Sequence, residues 1–212
     1  MCRLLYVKSD KSFSIREHLE KFAELSKNSK EYQGDGWGCS YYHYKQWAHY
    51  KSIIPVWEDD FSKFPETDLL IAHARSAFQN KDIFIENNMP FNDDRYVFIF
   101  NGELRGVKLN SHGRTGAEKI FNFIKKIDKG DMLKAIEMGV QIIVDRTTYT
   151  KAMNIIITDG MKAYVSSRFS EDEEYFTMHY KRDGNQTVIC SEVYPGETGW
   201  AKIKNYSLEV FE

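Results

Sequence analysis

The chain has 212 residues, 42% of them hydrophobic and 28% charged, with a formal net charge of −2. That composition places it among ordinary soluble globular proteins with ample core-forming material. The balanced charge gives no general attraction to phosphate backbones, and no run of about 18 apolar residues is present, so neither nucleic acid nor a membrane is an expected partner.

Residues 2–7 (CRLLYV) read as a short strand. The charges Lys8, Asp10 and Lys11 come too early for the apolar region of a secretion signal. Cys2, Cys39 and Cys190 are odd in number and widely separated, which does not suit a disulfide framework, so a reduced, cytoplasmic protein is expected. SIREHLEKFAELSK reads as a helix beginning at Ser14. The Ser14 hydroxyl and Glu17 form a capping-box pair, and Ile15, Leu19, Phe22, Ala23 and Ser26 share one face. From Trp37 two aromatic-rich runs, WGCSYYHY and QWAHYKSI, join near Lys45 as a hairpin.

DLLIAHARSA (68–77) and RYVFIFNGEL (95–104) read as strands. The second is nearly continuously apolar from Tyr96 to Phe100, as in a strand covered on both faces. Thr115 and Glu118 then make a second capping box, with Ala117, Ile120, Phe121, Ile124 and Ile127 on one stripe. Asp131 starts a further helix with Leu133, Ile136, Val140 and Ile143 inward. The remainder reads as strands: MNIIIT, KAYVSSR, YFTMHYK, TVICSE and YSLEVF, with turns at Asp159-Gly160 and Asp183-Gly184. No linker or repeat divides the chain, so residues 1–212 are expected to form a single domain. Hairpin connections with two long helices between early and late strands predict an α+β fold of mainly antiparallel sheets, either a four-layer α/β/β/α arrangement or a simpler sandwich.

Three short stretches carry candidate chemistry. Cys2 lies at what is ordinarily a frayed terminus. If Met1 is removed, however, its thiol gains an α-amine titrating at about 7.7–8.0 as its own base. Asn101-Gly102, after the apolar strand, is either a turn or a pair of donors for an oxyanion. In His73-Ala74-Arg75 the histidine and arginine share a strand face with Ile71. Arg75 is either in a surface ion pair or directed into a pocket, where its fork suits a carboxylate. His43 and His49 lack zinc-site spacing with any cysteine, so no metal is expected. GDGWG (34–38) has no phosphate-loop lysine and opens no helix, so it does not read as a nucleotide site.

As an ordered set these stretches resemble the class II (N-terminal-nucleophile) glutamine amidotransferase domain almost end to end. MCRLL is similar to its start, with Cys2 matching the nucleophile, and GDGWGCSYY to its glycine–tryptophan hairpin. IAHARSA is similar to the strand whose arginine binds the glutamine α-carboxylate, which falls on Arg75, with Ser76 after it as a further substrate-binding position. FNGEL is similar to the oxyanion motif, falling on Asn101 and Gly102, and IIITDG, SSR and CSE to the C-terminal strands.

The resemblance implies the four-layer fold and attack by the Cys2 sulfur on a side-chain amide, releasing ammonia through a thioester without a cofactor. It implies glutamine or a γ-glutamyl amide as substrate, with a separate ammonia-accepting synthase as an optional partner. The alternative is a non-catalytic descendant that binds a carboxylated small molecule or a partner subunit. Three positions depart from the family pattern. Gly116 stands where the family's aspartate binds the substrate ammonium, Phe78 where many members have threonine, and Phe100 where a histidine commonly precedes Asn-Gly. Glu103 and Glu118 are the acids that could replace the missing aspartate.

Overall fold

The computed structural model describes residues 1–77 and 81–212. Among the described residues, twelve strands form two sheets and four α-helices accompany them. The 7-stranded sheet runs β11-β9-β10-β1-β4-β2-β3 and the 5-stranded sheet β12-β8-β7-β6-β5. The larger one is built from β1 (Arg3–Ser14), β2 (Trp37–His43), β3 (Gln46–Ser52), β4 (Glu66–Ala74), β9 (His179–Asp183), β10 (Gln186–Cys190) and β11 (Ala201–Lys202). The smaller one comprises β5 (Phe91–Asn92), β6 (Val97–Arg105), β7 (Tyr149–Thr158), β8 (Ala163–Ser167) and β12 (Ser207–Phe211). All pairings are antiparallel.

Side-chain alternation explains the layering. In β1, Leu5 and Val7 point toward α1 (Ile15–Lys27), where they pack with Leu19, Phe22 and Trp37. Leu4 and Tyr6 point the other way, into a core shared with the smaller sheet. In β6, Phe98 stacks on Phe121 of α2 (Gly116–Ile127) with ring centroids 5.0 Å apart, so Ile99 and Asn101 project toward the larger sheet. Helix α3 (Met132–Asp145) lies beside α2 on the same outer face, burying Ala135, Ile136 and Ile143. The order helix, sheet, sheet, helices is the four-layer α/β/β/α arrangement that the sequence predicts.

The differences from expectation are local. Ser14 precedes α1 but makes no side-chain capping bond, because it is still the last residue of β1 and pairs with Glu66. Thr115 does cap α2, accepting from the Glu118 N–H at 3.2 Å, but Glu118 reaches back to the Arg114 N–H at 2.5 Å rather than to Thr115. YFTMHYK is not one strand: α4 (Glu173–Phe176) takes its first residues and β9 starts only at His179. The hairpin turns on Tyr44 and Lys45, with φ of 52° and 62°. Two left-handed residues in succession give the tight turn whose twist matches the strands.

Candidate active site

Cys2 immediately precedes β1, at the edge of the intersheet space. Its backbone N–H donates to Asn101 Oδ1 at 2.9 Å, and its Sγ lies 3.8 Å from the Ser76 carbonyl oxygen. Asn101 is fully buried and sits opposite Asn154 of β7. Asn154 is itself fixed, donating to the Phe176 carbonyl at 2.7 Å and accepting from the Arg168 N–H at 3.1 Å. Asn101 therefore spends its oxygen on Cys2, while its Nδ2 is buried and has no hydrogen-bond partner within the protein. An orphaned buried donor costs about 1–3 kcal/mol, which marks a group held ready for an acceptor from outside. The next residue must be glycine for steric reasons. A Cβ on Gly102 would stand 2.1 Å from the Ala152 oxygen and 2.7 Å from the Phe100 ring.

Arg75 follows β4 and is only 8% exposed. Its guanidinium donates to Asn88 Oδ1 at 3.2 Å and to the Asp82 carbonyl at 2.9 Å. Among the described residues no carboxylate lies within ion-pair distance of it, and the hydrogen-bond partners of its buried guanidinium are neutral oxygens. Burial lowers its pKa, and the charges of Cys2, Asp35 and Asp82 oppose that shift. The GDGWG segment builds this corner. The Arg75 N–H donates to the Gly36 carbonyl at 2.9 Å, and Asp35 Oδ2 accepts from the Ala77 N–H at 2.7 Å. Gly36 has φ +103°, and a Cβ there would meet Asn88 Nδ2 at 2.2 Å, so the tight approach requires glycine.

Burial pushes the Cys2 thiol above its ordinary value, while the terminal ammonium and Arg75 pull it back. Cys39 and Cys190 are fully buried, and there burial outweighs the nearby charges of Lys63 and Arg3: it raises the Cys39 thiol and pushes Cys190 up to about 12. His73, also fully buried, has both ring nitrogens without partners; burial and then the charge of Arg75 lower its pKa to about 3. It is a neutral imidazole at any ordinary pH.

With Met1 attached, Cys2 N is a peptide nitrogen. The Met1 carbonyl accepts from Gln33 Nε2 and from the Tyr175 hydroxyl, each at 2.5 Å, and its ammonium pairs with Glu31 at 3.3 Å. Of the residues singled out in the sequence, the structure brings Cys2, Ser76, Asn101 and, through the GDGWG corner, Arg75 to one end of the intersheet space. Ser76 contributes its carbonyl. Gly116 does not contact Cys2; it is the first residue of α2 and lines a neighbouring cavity together with Gly102. Phe78 lies outside the described residues. Glu118 is held by Arg114 and Glu103 by Arg105, each at 2.6 Å. Sequence reasoning missed Gln33, Asp35, Asn88 and Tyr175. GDGWG carried a signal for Asp35 but was read only as hairpin, whereas nothing local marks Tyr175.

A family model described as glutamine amidotransferases class-II matches residues 1–180. A search of curated protein sequences finds no significant match. Among solved structures, the chain is similar to a glutamine aminotransferase class-II domain protein from Silicibacter pomeroyi, with TM-score 0.64 and 13% identity over 99% of this chain and 94% of that one. It is similar to a predicted glutamine amidotransferase from Pseudomonas aeruginosa PA01, with TM-score 0.64 and 14% identity over 99% and 97%. The glutamine phosphoribosylpyrophosphate amidotransferase from B. subtilis gives TM-score 0.63 and 14% identity over 99% of this chain but 49% of that one. At these identities the structural matches establish the shared fold.

Proposed function

This chain belongs to the class-II glutamine amidotransferase family, and from that premise we propose that it is an amidohydrolase whose nucleophile is Cys2 once Met1 has been removed. Arg75 anchors a substrate carboxylate bidentately, which turns attack on the distant carboxamide into a positioned, effectively unimolecular step. The Cys2 α-amine takes the thiol proton, and the sulfur adds to the amide carbonyl carbon. Asn101 Nδ2 and the Gly102 N–H hold the resulting oxyanion. The protonated amine gives its proton to the departing nitrogen, ammonia leaves, and a thioester remains. Water, deprotonated by the same amine, hydrolyses the thioester to the acid and regenerates the thiol.

The observation that carries this reading is the division of labour in Asn101. Its oxygen is on the Cys2 nitrogen at 2.9 Å and its amide nitrogen is buried without a partner. Loss of Met1 converts that peptide nitrogen into the amine and leaves the Asn101 oxygen in place to orient it.

The test is ammonia release from a panel of glutamine and γ-glutamyl amides. Release by the wild type that disappears in Cys2→Ala supports the proposal; release that survives the substitution contradicts it. A second reading, a non-catalytic binder of carboxylated small molecules, draws on the chain with Met1 attached, whose carbonyl accepts from Gln33 and Tyr175 and whose bond to Cys2 leaves that nitrogen an amide. Saturable binding of an amide that is recovered unhydrolysed, by protein shown by mass to lack Met1, would favour it.

A further inference from the structure

Met1 is seated in the molecule rather than frayed from it. Its side chain is only 13% exposed and packs against the cluster of Ala152, Phe169, Tyr175 and Phe176. Its carbonyl accepts from Gln33 Nε2 and the Tyr175 hydroxyl, and its ammonium pairs with Glu31. The ammonium, the carbonyl and the apolar side chain of one amino acid thus each have a partner.

Those partners are held by bonds that do not involve Met1. Gln33 is fully buried, and its Nε2 also donates to the Glu31 carbonyl at 2.8 Å. The Tyr175 carbonyl accepts from Arg3 Nη1 at 3.3 Å, and the Arg3 guanidinium lies 4.1 Å from the centre of the Tyr175 ring. Arg3 is itself nearly buried and paired with Glu192 at 2.5 Å. Loss of Met1 therefore leaves the seat standing but empty. Gln33 and Tyr175 lose their shared acceptor, and the apolar wall loses its contacts, both of which cost stability until something replaces them. Gln33 Oε1 is buried without a partner even while Met1 is in place. Cleavage also adds a charge, because the new Cys2 amine titrates at about 7.7–8.0 and is mostly ammonium at pH 7.

We infer that the seat vacated by Met1 is a binding site for a free α-amino acid with an unbranched apolar side chain, methionine being the shape it already holds. One carboxylate oxygen takes the place of the Met1 carbonyl on Gln33 and Tyr175. The other replaces the broken peptide bond with a charge-assisted contact to the Cys2 ammonium. The ligand's own ammonium meets Glu31, and its side chain lies against Phe169 and Phe176. The site uses neither Arg75 nor Asn101 Nδ2. The inference rests on the proposed function only for the removal of Met1.

The test uses chain that starts at Cys2, released from a cleavable fusion and verified by mass, so that processing is supplied rather than assumed. Free methionine pays association entropy that the peptide bond spares Met1, so relative affinities measured by calorimetry decide. L-Methionine and L-norleucine are expected to bind with similar affinity. L-Methioninol, which lacks the carboxylate, is expected to bind about tenfold or more weakly, the usual worth of hydrogen bonds to a charged group. Tyr175→Phe, which keeps the ring and removes the hydroxyl, is expected to weaken methionine several-fold and leave labelling of Cys2 by a glutamine analogue unchanged. Chain that retains Met1 is expected not to bind methionine at all. No saturable binding to the processed chain, methioninol binding as well as methionine, or equal binding with Met1 attached would overturn the inference. Ammonia release by the processed wild type tests the proposed function separately. Methionine binding without release would refute the hydrolase and leave the site standing, and release without methionine binding would do the reverse.

Discussion

At the scale of single residues the site depends on side chains with divided duties. In the proposed mechanism Asn101 accepts from the Cys2 nitrogen and donates to the substrate, which an amide can do and a carboxylate cannot. Asn101→Asp keeps an acceptor but removes the donor. The expected result is a fall of about 10²- to 10³-fold in kcat, the usual cost of one oxyanion donor, with an unchanged far-ultraviolet circular dichroism spectrum. A change confined to KM would show that Asn101 only shapes the pocket. Cys2, Asn101, Gly102 and Arg75 were legible because each belongs to a short motif whose chemistry is local: a terminal thiol, an Asn-Gly after an apolar strand, an arginine after another. Gln33 and Tyr175 were not. Their shared partner is the Met1 carbonyl, 32 and 174 residues away in sequence, and long-range pairing leaves no local pattern.

The elements show where local rules hold and where neighbours override them. Thr115 and Ser14 look alike in sequence, each three residues ahead of a glutamate. The structure separates them: Thr115 bonds the Glu118 N–H, whereas Ser14 remains in β-pairing with Glu66. Thr115→Ala is therefore expected to cost about 1 kcal/mol, while Ser14→Ala, which removes no capping bond, stays within about 0.5 kcal/mol. Urea denaturation of the two variants checks the contrast, and equal losses would contradict it. The same override explains residues 175–181. Their β-propensity is genuine, but Tyr175 and Phe176 bury their rings against Phe169 in a short helical turn instead. Strand β6 was the easiest element to read because both of its faces are covered, leaving a continuous apolar run.

For the whole molecule, the four layers follow from the chain's periodicities, and they bring Cys2 and Asn101 together from different sheets although 99 residues separate them. Burial between layers has a consequence for acid stability. His73 and His18 are buried, and burial, the leading cause in both, lowers their pKa values to about 3 and about 4. In the unfolded chain both titrate near 6.5, so between that value and the native ones the unfolded state binds more protons and is favoured. Stability is complete above pH 6.5 and falls as pH drops toward 4, by about 1.4 kcal/mol per pH unit for each histidine. His73→Asn, which has no titrating ring, is expected to flatten that slope, read as the urea midpoint from pH 7 to pH 4. An unaltered slope would remove His73 from the account.

The amine-activated sulfur is tested most directly by covalent labelling. Protein with and without Met1 is treated with an electrophilic glutamine analogue and digested, and each cysteine peptide is weighed. The account predicts one adduct, on Cys2 of the chain lacking Met1, with Cys39 and Cys190 untouched in their buried positions. An adduct formed equally well while Met1 is attached, or one on either buried cysteine, would contradict it.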